Sequence, residues 1–462
     1  MHRSSLPRLF SALALASLAC AAQAREHNPL ADLARDESPT DRLIVKYRDG
    51  VQPFATARGE AAIRVAGNRQ GVSVRHLRAM SGGAHVMAIS RAISPQEAEA
   101  MAQAISAGDP DILYAEPDHL LKPLMTPNDS YYSLQWSLSD ATGGIRAPAA
   151  WDKASGSGVV VAVIDTGVRK HADFSANLLA GRDFVSTSFI SNDGDGRDAD
   201  AADPGDYVTA GYCSTGSAAA NSSWHGTHVT GIVAATANNK TGVVGVAWGA
   251  KVLPLRALGR CGGYSSDIAD AISWAAGNAV SGQPTNTTPA KVINLSLGGT
   301  AACGKTTQAA INAARAKGAV VVVAAGNEKA NASTSSPANC TGVVSVAATT
   351  KAGGRASYSN YGTSVTLAAP GGDSGAAIAS TWNTGTSTPG SDTYAYMAGT
   401  SMAAPAVSGV AALMLSANPK LTPDQVATLL KSSARAFPAS CSGCGAGIVN
   451  AEAAVAAALA AK

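Results

Sequence analysis

From about residue 158 onward, short β-branched apolar runs alternate with longer segments of helical periodicity. The runs over 159–164, 251–255, 292–297, 319–325 and 343–347 are apolar at nearly every position. That is the pattern of strands buried on both faces of a parallel sheet, since a half-wet strand would alternate with period two. Helices are predicted over 225–237, 266–276, 306–316 and 401–416. Thr422, Pro423, Asp424 and Gln425 read as the cap and first turn of another, and alanine-rich 451–460 as the last. This alternation predicts a doubly wound α/β domain with a mostly parallel sheet, whose active residues stand at the carboxyl ends of its strands.

The pattern is different before that point. Residues 25–122 are denser in charge, with a short strand predicted over 43–47 and a closing strand over 112–114. Between them Ser94, Pro95, Gln96 and Glu97 supply an N-cap, a first-turn proline and a capping-box acid for a helix to about 105. Strand, helix and strand in so short a span suit a compact α+β module. Pro123, Pro127, Asn128 and Asp129 then mark an exposed connector. Residues 1–24 run from Arg3 and Arg8 through an apolar stretch to Ala22, Gln23 and Ala24, the order of a secretory signal peptide.

Composition narrows the function classes. Of 462 residues 46% are hydrophobic and 15% charged, enough apolar material for a core and too few charges for disorder. A net charge of +3, with no basic run interleaved with aromatics, gives no footprint of nucleic-acid binding. No apolar run of spanning length is expected outside the N-terminus, so no membrane partner is expected once the leader is gone. Removing Cys20 with the leader leaves Cys213, Cys261, Cys303, Cys340, Cys441 and Cys444. An even count in an exported chain reads as three disulfides, and six cysteines allow 15 pairings among which sequence does not choose. Neighbour pairing is the expectation: Cys213–Cys261, Cys303–Cys340 and Cys441–Cys444.

Three positions gain meaning only together. Asp165 ends a buried strand, His225 and His228 open a helix, and Ser401 follows a glycine at another helix start. Singly, such a histidine is more often structural and such a serine a cap. A serine hydroxyl, however, becomes a nucleophile when an imidazole takes its proton, and the imidazole needs a carboxylate to hold its tautomer. Acid, base and hydroxyl occur here in the order Asp, His, Ser. The G-x-S-x-G elbow and the Ser, acid, His order of the α/β-hydrolases are absent.

The strings VAVIDTGV around Asp165, HGTHVTGIVAA from His225, VVVAAGNE and GTSMAAPAVSGVAAL around Ser401 resemble the subtilisin-like serine proteases, and the match runs from about Trp136 to about Ala454. The resemblance implies that Ser401 is the nucleophile, His225 the general base and Asp165 the orienting carboxylate. It selects His225 over His228, which spacing alone does not. It also implies that Asn327 donates to an oxyanion beside the Ser401 N–H, and that Ser296, Leu297 and Gly298 pair with extended substrate backbone. Ser335 and Ser336 are expected near the first specificity pocket, with no acid there.

The same resemblance implies structural calcium, held by Asp129, Asp173 and the Asn239 side chain with carbonyls of Ala237, Thr241 and Val243, an oxygen-only set. The aspartates from Asp193 to Asp206 form either a second calcium loop or a solvated acidic loop. The expected product is a secreted, monomeric serine endopeptidase acting on proteins and peptides, with a signal over 1–24, a ferredoxin-like inhibitory propeptide over 25–123 that acts on its own enzyme, and a catalytic domain over 124–462. Two alternatives stay open: a catalytically silent relative serving as a binding module, and a zinc hydrolase built on His225 and His228, for which no third ligand cluster is visible.

Overall fold

The computed structural model describes residues 39–54, 57–119 and 126–462. The predicted leader and Pro123 of the connector lie outside the described residues. The chain divides into two compact units, Met1–Leu121 and Lys122–Lys462.

The first unit runs β1 (Thr40–Tyr47), α1 (Ala57–Arg69), β2 (Val74–Ala79), β3 (Ala84–Ile93), α2 (Pro95–Gly108) and β4 (Ile112–Pro117). Its sheet has the order β2-β3-β1-β4 with antiparallel pairing throughout. Leu43 and Val45 of β1 pack with Ile63, Met101 and Ile105 of the helices. The capping box of α2 forms as its residues dictate: Glu97 N–H donates to Ser94 Oγ, and Ser94 N–H to Glu97 Oε2. The sequence reading missed α1, β2 and β3. Helix α1 is rich in charged and small residues, and β2 is exposed along almost its whole length, so it lacks the alternation that marks a strand.

The second unit is built on seven strands: β5 (Val160–Asp165), β6 (Arg182–Asp183), β7 (Lys251–Arg256), β8 (Val292–Leu295), β9 (Val320–Ala324), β10 (Val344–Thr349) and β11 (Leu367–Pro370). Their order is β11-β10-β9-β8-β5-β7-β6, every pairing parallel. Six helices of ten or more residues flank them among the described residues: α3 (His225–Ala234), α4 (Ser265–Ala275), α5 (Lys305–Ala316), α6 (Thr400–Ala417), α7 (Pro423–Ser432) and α8 (Ala451–Ala460). Alternate residues of β5 feed two cores. Val161 and Val163 join Val229, Val407 and Val455, while Ala162 and Ile164 join Ile272 and Ile311 on the other face. This is the doubly wound arrangement, and β5 occupies its interior.

Two expectations are corrected. The last turn predicted for α3 does not form, because the chain after Ala234 enters a loop in which Asn238 and Lys240 have φ of 62° and 63°. An apolar segment of spanning length does exist outside the N-terminus: α6 is 18 residues long and apolar enough to cross a bilayer. It is 83% buried within this unit, as the central helix of a core is. The short strands β6 and β11 and the hairpin Ile378–Asn383 with Asp392–Met397 were also missed. The disulfides form as neighbour pairs, Cys213–Cys261, Cys303–Cys340 and Cys441–Cys444.

Candidate active site

Asp165 is the last residue of β5 and is 1% exposed. Its Oδ1 accepts from Thr166 N–H at 2.8 Å and from His225 Nδ1 at 2.7 Å. His225 begins α3, directly after Trp224, a fully buried residue with φ of 43°. That left-handed conformation is strained for a bulky side chain, and such strain persists only where the surroundings fix it. Here the Trp224 indole N–H is pinned to the Gly385 carbonyl at 2.7 Å. The helix then passes so close to the strand that a Cβ on Gly226 would meet the Gly167 carbonyl at 2.1 Å. Burial works against a charged His225, but the Asp165 carboxylate and its hydrogen bond, joined by Asp206 and Asp203, outweigh it, and the imidazole pKa is raised.

His228, three residues along, is fully buried. Its Nε2 meets the Ala395 carbonyl at 3.2 Å, and its ring stands edge-on to Trp382. Burial drives its pKa down to about 3, so it is a neutral packing element.

Ser401 lies in the first turn of α6. Its hydroxyl donates to the Ser296 carbonyl at 3.3 Å, and its own carbonyl accepts from Ser296 Oγ at 2.9 Å. Pro405 explains the second contact. In a regular helix the N–H four residues on would take the Ser401 carbonyl, and proline has none. Ser296 is held from beneath by Asn294, whose Nδ2 donates to its hydroxyl, and Asn294 in turn accepts from Ser408 of α6.

Asn327 follows β9. Its Oδ1 accepts from both the N–H and the hydroxyl of Thr400, each at 2.9 Å, which leaves Nδ2 as the outward donor beside the Ser401 backbone. Thr400 and Thr166 are functional neighbours that the sequence reading did not single out, although both sit inside its motifs.

His225, Ser296, Leu297 and Gly298 line one open cleft of about 920 Å³, with Thr166 and Asp206 at the His225 end and Lys305 elsewhere on its wall. A Cβ on Gly298 would lie 3.1 Å from the Ser336 carbonyl. The expectation of no acid near Ser335 is corrected. Asn360 Nδ2 donates both to Ser335 Oγ at 3.2 Å and to Glu328 Oε2 at 2.7 Å, so a carboxylate stands close to that serine.

The residues expected to hold calcium come together from three segments. Asp129 accepts from Asn238 and Asn239 N–H, and Asp173 from Asn239 Nδ2 at 2.7 Å and Val243 N–H at 2.9 Å. Asn239 keeps its amide oxygen within the loop, on Thr241 N–H. Burial raises the pKa of both carboxyls. Two buried acids thus converge on this loop through its N–H groups, and carboxylate oxygens are the donor type that a hard cation takes.

Five of the six aspartates from Asp193 to Asp206 are engaged in local turns, a bond to Ser223 or an ion pair. Asp198, Asp200 and Asp203 each cap the N–H two residues on, Asp206 holds Ser223, and Asp193 pairs with the buried Arg256. Among the described residues no group of three or more His, Cys, Asp or Glu side chains has metal-binding geometry.

Residues 156–447 match the model of the subtilase family. The chain is 50% identical over 460 residues to an "Extracellular protease" of Xanthomonas campestris pv. campestris, covering 98% of this chain and 78% of that one. It is 40% identical to an "Extracellular basic protease" of Dichelobacter nodosus, covering 96% and 75%. A solved structure described as proteases from Pseudoalteromonas arctica PAMC 21717 superposes with a TM-score of 0.72 at 57% identity, over 72% of this chain and all of that one.

Proposed function

Since the chain belongs to the subtilase family of serine proteases, we propose that it is the precursor of a secreted, calcium-stabilised endopeptidase that cuts extended protein substrates through Asp165, His225 and Ser401. The observation that carries the reading is the 2.7 Å contact between His225 Nδ1 and Asp165 Oδ1, in a cleft that His225 shares with Ser296, the residue on whose carbonyl the Ser401 hydroxyl rests.

With Nδ1–H given to Asp165, the neutral imidazole presents Nε2 as a base. Nε2 takes the Ser401 proton as Oγ attacks the scissile carbonyl carbon. The oxyanion that forms is met by Asn327 Nδ2 and the Ser401 N–H. The imidazolium, stabilised by Asp165, returns its proton to the leaving amine as the C–N bond breaks, and water releases the acyl group from Ser401 by the same steps. Substrate backbone lies along Ser296, Leu297 and Gly298. Main-chain pairing of this kind gives affinity with little side-chain selectivity, which suits broad endopeptidase action.

The first unit is read as a ferredoxin-like inhibitory propeptide over 25–123, behind a signal over 1–24 and ahead of a catalytic domain over 124–462. Its β-α-β-β-α-β order supports that reading. Ser401→Ala should yield folded protein that retains the propeptide covalently, seen by sequencing the N-terminus of the secreted form. Efficient trimming of that variant refutes self-processing. Wild-type protein that resists an active-serine phosphonylating reagent would instead be the silent relative.

Calcium, when bound by Asp129, Asp173, Asn239 and the carbonyls of Ala237, Thr241 and Val243, supplies positive charge among buried acids and ties three segments together. A ligand at a thousand times its Kd stabilises by about 4 kcal/mol, so a chelator should lower the thermal midpoint clearly. An unchanged midpoint removes calcium from the reading.

A further inference from the structure

We infer that Asp203 is a positioning residue for the acid–base pair: acting through the Thr166 hydroxyl, it fixes the backbone of Gly226 so that the segments carrying Asp165 and His225 are held as one piece. The inference rests on the relay roles proposed above for those two residues.

Asp203 is 1% exposed and belongs to the loop before α3, outside the relay itself. Its Oδ1 accepts from Gly205 N–H at 2.8 Å, and its Oδ2 accepts the Thr166 hydroxyl at 2.7 Å. A threonine hydroxyl has one proton to give. Once Asp203 takes it, a lone pair remains for a donor, and Gly226 N–H fills that place at 3.1 Å.

Gly226 needs an outside acceptor. It is the second helical residue of α3, so its N–H is one of the four without a partner inside the helix, and Trp224 at the cap position has no oxygen in its side chain to offer. Thr166 therefore caps the helix from the strand side. A closed circuit results: Asp165 Oδ1 binds both Thr166 N–H and His225 Nδ1, Thr166 is bonded to Asp165, and Gly226 is bonded to His225. Asp203 sets the direction of the Thr166 hydroxyl in that circuit.

The charges around Asp203 are defined. Asp206 repels it, Arg256 attracts it, and Arg169 donates to its backbone carbonyl at 3.0 Å. Burial pushes its carboxyl up to about 7. Its charge also reaches His225, where it adds to Asp165 and Asp206 in raising the imidazole pKa.

The test compares Thr166→Val, Thr166→Ser, Asp203→Ala and Asp203→Asn with the wild type. Loss of the tether misplaces the imidazole, and a misplacement of about 1 Å costs roughly a hundredfold in rate. Thr166→Val and Asp203→Ala are therefore expected to lower kcat about 10- to 100-fold with KM held within about twofold. Thr166→Ser, which keeps the hydroxyl, restores most of the rate, and the double variant Thr166→Val/Asp203→Ala falls no further than either single one. Asp203→Asn keeps an acceptor oxygen for the Thr166 hydroxyl, so its kcat is expected to stay well above that of Asp203→Ala.

Rates are referred to the folded fraction by near-ultraviolet circular dichroism, so that poor folding is not read as slow chemistry. Wild-type kcat in folded Thr166→Val, a serine variant as slow as the valine one, or an Asp203→Asn variant as slow as Asp203→Ala overturns the assignment. Labelling by the phosphonylating reagent separates the two levels. If wild-type Ser401 does not react, the relay itself fails, whereas wild-type labelling matched in rate by Thr166→Val removes only the tether.

Discussion

His225 and His228 stand three residues apart on one helix and meet opposite surroundings. The first turn of α3 faces the end of β5, where Asp165 raises the His225 pKa and the ring opens onto the cleft. One turn deeper, His228 meets the Ala395 carbonyl and stands edge-on to Trp382, and burial lowers its pKa to about 3. Two amides repeat the contrast. Asn327 has its oxygen fixed by Thr400 and its Nδ2 open, whereas Asn360 spends its Nδ2 on Ala325, Glu328 and Ser335 and its oxygen on Glu328 and Ala330 N–H. His225 and Asn327 each keep a polar atom toward the surface, whereas His228 and Asn360 are enclosed by protein.

The comparison breaks most visibly at His225. His225→Ala should cost on the order of 10⁶ in turnover, a magnitude borrowed from a subtilisin, itself a relative of this chain, and should leave the thermal midpoint nearly unchanged. A midpoint that falls steeply would make His225 a structural residue like its neighbour. Asn327→Ala should lower kcat by about 10²- to 10³-fold with a small change in KM, again on the scale of a subtilisin donor. An effect confined to KM would argue against the oxyanion role.

Asn360→Ala and His228→Ala should do the converse, each destabilising the fold by about 1–3 kcal/mol through unpaired buried groups while the folded fraction turns over normally. Urea titrations paired with active-site counts would separate the two outcomes.

The smallest effect is in pH dependence, where the two rings have opposite signs. For His225 the raised pKa means that its favourable contribution to stability is present at low pH and lost as pH rises through the folded value, while activity is lost as pH falls through that same value. For His228, whose folded pKa is about 3 against an ordinary 6.5, stability is present above 6.5 and lost as pH falls toward 3. His228→Phe should accordingly flatten acid unfolding across that window, and an unaltered acid midpoint would remove His228 from the account.

Much of this was legible in sequence because it is local. Valine-rich runs such as 320–324 announce buried parallel strands, and Ser94 to Glu97 spell out a cap that forms as written. The choice between His225 and His228 was not legible from periodicity, since residues three apart lie on the same helix face. What separates them arrives from distant chain, Asp165 on one side and the 378–397 hairpin on the other. Asp203, and the contact of Ser296 with Ser401, were obscure for the same reason: they depend on hydroxyls that reach across 37 and 105 residues. Charged α1 and exposed β2 failed differently, because neither has the apolar periodicity on which such a reading depends.

Pro405 reverses an ordinary rule of protein engineering. Replacing a mid-helix proline normally strengthens a helix by closing an open rung. At this rung the carbonyl is that of Ser401, which the Ser296 hydroxyl takes, so Pro405→Ala would add a helical donor to that oxygen's second lone pair and draw Ser401 toward the helix, away from the sheet edge. A sturdier helix would then come with a poorer catalyst, and a survey of variants by heat resistance alone would select it.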